Sequence, residues 1–195
     1  MKAFSAAIVS LILMGSTAFA APITYQAILS GPNESPANAS PGTGFATVTF
    51  DLTAHIMTVD VTFSGLVGNT TNAHIHCCTA IAGTGTAGVA TQTPTFTGFP
   101  AGVTSGSYSN SFNTLLASTY NPSFVTANGG TAASAESALA NGVSAGTAYL
   151  NIHSSAFPGG EIRGFLVQPV PEPATFVLMG AALLGLAAKR FRTSL

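Results

Sequence analysis

The feature that most constrains the fold of this chain is a two-residue alternation of apolar and polar side chains. From 46 to 52 every second residue is apolar and the others are Thr or Asp, and the same alternation returns from 57 to 63. Successive side chains of a β-strand point to opposite faces, so each stretch has one apolar and one polar face. The two stretches therefore predict half-buried strands joined by a hairpin turn at 53–55, with His55 as a loop residue.

Further strands and two short helices are predicted by the same kind of pattern. The predicted strands are 23–29, 71–79, 89–95, 107–115 and a closing hairpin over 148–165 that is interrupted at Pro158-Gly159-Gly160. Asn121-Pro122 is a suitable start for a helix over 123–128, and Thr131 for a helix over 132–140 that stops at Asn141-Gly142. The expected fold class is all-β: an antiparallel β-sandwich, Ig-like or superoxide-dismutase-like, with one or two short helices.

Charge excludes one class of partner. Charged residues make up 6% of the chain, against roughly 25% in an average soluble protein. Between positions 21 and 169 the acidic residues are Glu34, Asp51, Asp60, Glu136 and Glu161, and the basic residue is Arg163. Nucleic-acid binding needs clustered Lys and Arg, so no nucleic-acid partner is expected.

The N-terminus has the composition of a secretory signal peptide. Lys2 precedes an apolar run over 6–14, and Ala18-Phe19-Ala20 is a small-x-small cleavage site. We expect a signal helix over 1–20 that is cleaved after Ala20, recognised through Ala18 and Ala20. A retained membrane anchor is the alternative, although the apolar run is short for a membrane span.

The C-terminus combines three elements in a fixed order. Pro171-Glu172-Pro173 is followed by an apolar run over 174–188 and then by the basic residues Lys189, Arg190 and Arg192. As a helix the run is about 22 Å long, short of the hydrocarbon core of about 30 Å, so it would be a marginal transmembrane helix. The basic residues predict that its end stays cytoplasmic and that the domain lies outside.

This C-terminal order resembles the PEP-CTERM sorting signal of Gram-negative bacteria. The resemblance implies that residues 169–195 are a processing address, that an exosortase-type protease cuts near Pro171, and that the inner membrane holds the chain only transiently. The mature protein would then reach the cell surface or the extracellular matrix. A C-terminal anchor that is never cut is the alternative.

Histidines on two predicted strands suggest a metal site. His74, His76 and Cys78 share one strand face, and Asn151 and His153 share a face of the later strand. If the two strands are neighbours and their apolar residues face the core, the three histidines meet on the outward face. Three imidazoles bind zinc or copper, and a thiolate from Cys78 would favour copper. A hydrogen-bonded surface network is the alternative.

Cys77 and Cys78 are the chain's two cysteines. Neighbouring Cα atoms lie about 3.8 Å apart, closer than the usual disulfide range of about 4.4–6.8 Å. A strained vicinal disulfide, metal ligation and an intermolecular bridge all remain open. Glu161 and Arg163 are interpreted as an exposed ion pair of little energetic weight, and the sequence contains no general acid–base pair, nucleophile elbow or phosphate loop.

Several of these motifs together resemble the CHRD domain, first described in chordin and present in secreted bacterial proteins. They are Ala73-His74-Ile75-His76, a Gly-rich turn ending at Gly88-Val89, and the stretches 148–153 and 157–164. The resemblance covers roughly 23–167 and implies an extracellular β-sandwich without supplying a mechanism. Cys77-Cys78 departs from the Gly-Pro that often follows the His-x-His.

Two functional classes follow for a domain spanning 21–168. The first is a non-catalytic surface or matrix protein that binds an exopolysaccharide or another surface protein. The second is a secreted copper or zinc protein, redox-active by loose analogy with sandwich-fold superoxide dismutases. Metal content discriminates between them.

Overall fold

A computed structural model describes residues 21–169. Seven strands and two α-helices lie in this range, together with two single-turn 3₁₀ helices at Gly31–Asn33 and Ala117–Thr119. The strands are β1 (Ile23–Ser30), β2 (Thr43–Asp51), β3 (Ile56–Ser64), β4 (Thr70–His76), β5 (Gly106–Asn113), β6 (Tyr149–Ser154) and β7 (Ile162–Phe165), and the helices are α1 (Pro122–Ala127) and α2 (Ala132–Ser144).

All seven strands belong to one antiparallel sheet in the order β4-β6-β7-β1-β2-β3-β5. The sheet is curled, and apolar residues from all seven strands contribute to a single buried cluster. The predicted all-β class with two short helices is confirmed. The hairpin of β2 and β3 turns at 52–55, and β6 pairs with β7, as the alternation predicts.

The segment between β4 and β5 connects the two ends of the sheet. The N–H of Phe96 donates to the carbonyl of Ala73 in β4, at 3.1 Å, and the Phe96 ring packs against Tyr108 of β5, with centroids 6.0 Å apart. The prediction of a strand over 89–95 is wrong, because only isolated bridges form there, at Val89 and Thr91. This segment instead joins β4 to β5 as a loop and places Phe96 in the buried core.

The helix starts are as predicted, and one helix end is not. The side chain of Asn121 accepts from the N–H of Ser123, and Thr131 forms a capping box with Ser134. However, α2 continues through Gly142 to Ser144. A Cβ at position 142 would collide with the Cys77 and Cys78 sulfurs, so this glycine lets the helix pass close to them rather than ending it.

Within residues 21–169, no helix is long and apolar enough to cross a membrane. The predicted signal helix and the predicted apolar C-terminal helix lie outside the described residues.

Candidate metal centre

The structure brings His74, His76 and His153 together. Strands β4 and β6 are neighbours, and their register places Asn72 opposite His153 and His74 opposite Asn151. The three imidazole centroids are 5.3 to 5.9 Å apart, and one nitrogen of each ring lies within 4.8 Å of the other two. The neighbouring strands on which the sequence-based hypothesis depended are therefore present.

Each ring is held by a backbone carbonyl through its other nitrogen. His74 Nε2 lies 2.5 Å from the carbonyl of Pro94, His76 Nδ1 2.9 Å from that of Ala87, and His153 Nδ1 2.9 Å from that of Pro158. A carbonyl only accepts, so these nitrogens carry the protons and the remaining ones carry lone pairs. Metal-ligating histidines have this arrangement, in which the second hydrogen bond fixes both tautomer and ring orientation.

The nitrogens that carry the lone pairs have no protein partner. His74 Nδ1, His76 Nε2 and His153 Nε2 are all buried without a hydrogen bond. Buried polar atoms are rarely left unpaired, and each one that is needs an explanation such as an ion. Three such nitrogens, converging from two strands, could hold one metal ion.

Most of the histidine face is buried, contrary to the expected outward exposure, and His153 is half-buried. His74 is 6% exposed, His76 8% and Asn151 3%. The covering chain is the segment that supplies the Ala87 and Pro94 carbonyls, together with the β6–β7 turn that supplies the Pro158 carbonyl. The pattern over 89–95 wrongly indicated a strand and the other covering residues have no periodic pattern, so the sequence contains no signal that these segments return over this face.

Burial also keeps the imidazoles neutral. Desolvation lowers the pKa of each histidine in the cluster, and it brings the pKa of His76 to about 4, with the proximity of the other two rings and of Arg163 acting in the same direction. Neutral imidazole is the form that binds a metal, so the cluster is ready to do so at neutral pH without first releasing protons.

A second layer of aromatic and charged groups supports the cluster. The Tyr149 ring stacks on the His76 imidazole, with centroids 4.8 Å apart and an interplanar angle of 6°, and the Arg163 guanidinium lies over the Tyr149 ring at 4.6 Å. The Tyr149 hydroxyl donates to the carbonyl of Ala87, at 3.3 Å, which also holds His76. Rigid packing of this kind fixes the ring plane of a ligand.

Glu34 is a functional candidate that the sequence reasoning did not select. It follows the 3₁₀ turn at Gly31–Asn33 and is 9% exposed, and its Oε2 lies 3.8 Å from Arg163 Nε. Burial raises the pKa of Glu34 to about 7, although the Arg163 charge opposes the shift. Glu34 Oε1 and Asn151 Oδ1 are both buried and unpaired, and both would contact a Cβ added at Gly160. A loop acid among prolines gives no pattern that would have indicated this.

Cys78 is not part of the cluster. The Cys77 and Cys78 sulfurs are joined in a vicinal disulfide, so of the three alternatives for these cysteines the structure has the disulfide. The sulfur of Cys78 lies near the carbonyl of Ala138 in α2, and the group of potential ligands that converge consists of the three histidines. The expected thiolate contribution of Cys78 is therefore corrected: in the disulfide its sulfur is not a thiolate.

Glu161 is buried, contrary to its interpretation as an exposed partner of Arg163. It is 0% exposed, and Arg163 is 4% exposed. Arg163 is tied instead to the carbonyls of Asn33 and Gly85. His55 lies in the turn before β3, as predicted, with its Nδ1 3.0 Å from Glu136, so it belongs to a separate structural contact.

The remaining predicted residues lie outside the described range. They are Ala18 and Ala20 of the predicted cleavage site, and Pro171, Glu172, Pro173, Lys189, Arg190 and Arg192 of the predicted sorting signal.

The fold and the cluster define an all-β domain with three converging histidines on neighbouring strands. The family model of the CHRD domain matches residues 25–166, and that of the PEP-CTERM protein-sorting motif matches residues 169–192. The chain belongs to the CHRD domain family and is an exported, exosortase-sorted surface protein. No curated protein and no solved structure matches it.

Proposed function

We propose that this surface protein binds one copper or zinc ion through His74, His76 and His153. The observation that carries the proposal is the set of three buried, unpaired nitrogens, each on a ring whose other nitrogen donates to a backbone carbonyl. The protein reaches the surface through its sorting signal, so the ion would be taken from outside the cytoplasm.

The donor set selects the class of metal. Neutral imidazoles suit zinc, copper, nickel and iron, whereas magnesium and calcium prefer oxygen ligands. Three protein ligands leave a fourth position for water or another small ligand, which is the composition of catalytic rather than closed structural zinc sites. Copper(II) ranks above zinc in intrinsic affinity for such ligands, so copper is the expected ion where both are present.

Direct measurement of metal content tests this proposal. We expect about one copper or zinc per chain in the exported protein purified without a histidine tag, measured by mass spectrometry of the elements. The His74→Ala and His153→Ala variants should lose it. His55→Ala is the matched control, because His55 is a histidine outside the cluster, and it should keep the metal. Equal metal content in all four proteins, or none in the native one, would contradict the proposal.

A non-catalytic matrix role is the second candidate, supported by the sorting signal and the family membership. In this role the domain would hold an exopolysaccharide or another surface protein. Co-sedimentation with isolated extracellular matrix separates the two functions: retention by the His74→Ala variant at the native level would indicate a matrix role that needs no metal.

Residues 1–20 as the cleaved signal and 21–168 as the mature domain complete the proposal, and N-terminal and intact-mass measurements test both limits.

A further inference from the structure

A groove lies beside the histidine cluster, on the outer face of β1 and β7. Its walls are the loop at 32–35 and the loop at 83–85, and its volume is about 640 Å³. This is within the usual size of small-molecule sites, about 300–1,000 Å³. None of the three histidines lines it, so it is a separate site from the metal centre.

Arg163 is fixed in this groove with part of its guanidinium unpaired. Its Nε donates to the carbonyl of Asn33 at 2.6 Å and its Nη1 to that of Gly85 at 3.0 Å. Stacking on the Tyr149 ring fixes the guanidinium plane. Nη2 has no protein acceptor among the described residues, and Arg163, although only 4% exposed, lines the groove. A guanidinium fixed in this way loses little entropy when it binds an anion.

Glu34 supplies a second polar group next to this cation. It lines the groove, and its Oε1 is a buried atom without a partner. Arg163 is the charged group that faces it. Since burial raises the pKa of Glu34 to about 7, at pH 6 most of this carboxyl is neutral. It then does not repel an anion, and its hydroxyl can donate to a ligand oxygen.

Three large apolar side chains on the groove wall are exposed. Ile28 is 72% exposed, Phe45 43% and Val167 55%, and all three line the groove. Exposed large apolar side chains that surround a few convergent polar groups are typical of small-molecule sites. A ligand that covers these three side chains would gain free energy from the apolar area removed from water.

We propose that this groove binds an organic carboxylate with an apolar body. The carboxylate lies on Arg163 Nη2 and beside Glu34, and the apolar body lies along Ile28, Phe45 and Val167. Arg163 is the only Lys or Arg of residues 21–169, so charge complementarity assigns the anionic end of the ligand to this end of the groove. The proposal does not depend on metal binding.

Benzoate is the probe, and benzamide, which has the same shape without the charge, is its matched control. We expect saturable changes in the NMR signals of Ile28, Phe45 and the Arg163 Nε–H when benzoate is added to the exported protein at pH 6, with a dissociation constant of about 1 mM or tighter. Binding of benzamide should be at least tenfold weaker. Equal binding of the two probes, or saturable changes confined to other residues, would overturn the proposal.

Variants on the groove wall test its position without removing Arg163, on which two loops depend. Phe45→Ser should weaken benzoate binding by about tenfold, and Leu52→Ser, at a similarly exposed apolar residue outside the groove, should leave it unchanged. The His74→Ala variant should bind benzoate as the native protein does. Unchanged binding in Phe45→Ser, or lost binding in His74→Ala, would overturn the assignment, the latter because it would place the carboxylate on the metal.

Discussion

Two buried polar regions of this domain differ in whether their hydrogen bonds are complete. The first surrounds Glu161, whose carboxylate accepts from the Ser40 hydroxyl at 2.6 Å, from the Val67 N–H at 2.5 Å and from the Gly68 N–H at 3.2 Å. Burial alone would raise the pKa of Glu161, but hydrogen bonds from Ser154, Ser40, Val67 and Gly68 outweigh it and lower the pKa. This charge has all the partners it needs.

The second region is the histidine cluster with Glu34 and Asn151. Every buried side-chain nitrogen or oxygen that lacks a partner in residues 21–169 belongs to it: Glu34 Oε1, His74 Nδ1, His76 Nε2, Asn151 Oδ1 and His153 Nε2. Unpaired buried groups cost free energy. In the first region the chain itself supplies the hydrogen-bond partners, whereas in the second the described residues supply none for these five atoms.

The largest expected effect concerns the region around Glu161, whose hydrogen bonds are complete. Glu161→Ala should lower the free energy of unfolding by about 3–5 kcal/mol, because it leaves buried donors on three segments unpaired. Urea unfolding measures this. Asp60→Asn, at an exposed acid of β3, is the control and should change stability by less than about 0.5 kcal/mol. If both variants lose a similar free energy of unfolding, the Glu161 hydrogen bonds do not stabilise the fold as inferred.

The histidine cluster, whose buried nitrogens lack partners, should instead gain stability when metal is added. At a free zinc concentration 100 times the dissociation constant, the free energy of unfolding should rise by about 2.7 kcal/mol, since the ion binds the folded state. Thermal unfolding with and without zinc measures the gain. The gain should persist in Asp60→Asn and disappear in His153→Ala. A gain that survives in His153→Ala would remove the cluster from consideration as the metal site.

Without metal, the histidines of the cluster and Glu34 should make the stability of the protein depend on pH in opposite directions. Below about pH 6.5 an unfolded chain protonates histidines that stay neutral when folded, so their contribution to stability falls as pH decreases toward 4. Glu34 has a folded pKa of about 7 against 4.5, so between these values the folded state holds the extra proton. Its contribution to stability therefore falls as pH rises.

Glu34→Gln isolates the second of these contributions. The free energy of unfolding of this variant, relative to that of the native protein, should be about 2 kcal/mol higher at pH 8 than at pH 4.5. The reason is that the substitution removes the cost of ionising a buried acid. Urea unfolding at the two pH values measures the difference. If the native protein and the variant have parallel pH profiles, Glu34 ionises as freely in the fold as in water.

The smallest effect concerns the layer behind the cluster. Tyr149→Phe keeps the ring on His76 but removes the hydroxyl that donates to the Ala87 carbonyl, and it should cost about 1 kcal/mol of stability. The same variant should weaken zinc binding several-fold, measured by competition with a chromophoric chelator, since the same carbonyl orients His76. Weakened stability with unchanged zinc affinity would make Tyr149 a packing residue alone.

Much of the fold was predictable because β2 and β3 alternate over most of their length, because β1 and β6 alternate in part, and because two helix caps have their usual residues. The His74–His76–His153 cluster was predictable for the same reason, since a period of two fixes which side chains share a face. The burial of the cluster was not, because it depends on aperiodic chain that returns over the sheet to place the Ala87 and Pro94 carbonyls. For the same reason no sequence pattern indicated Glu34.

The carbonyls that hold the three imidazoles belong to the main chain, and every amino acid has one. Substitutions at Ala87, Pro94 or Pro158 therefore leave the acceptor in place as long as the loop keeps its path. The orientation of the three imidazoles therefore depends on the shape of these loops rather than on their sequence. Related chains can consequently diverge at these covering positions, under the pressures that act on an exposed surface, and still present the same three nitrogens.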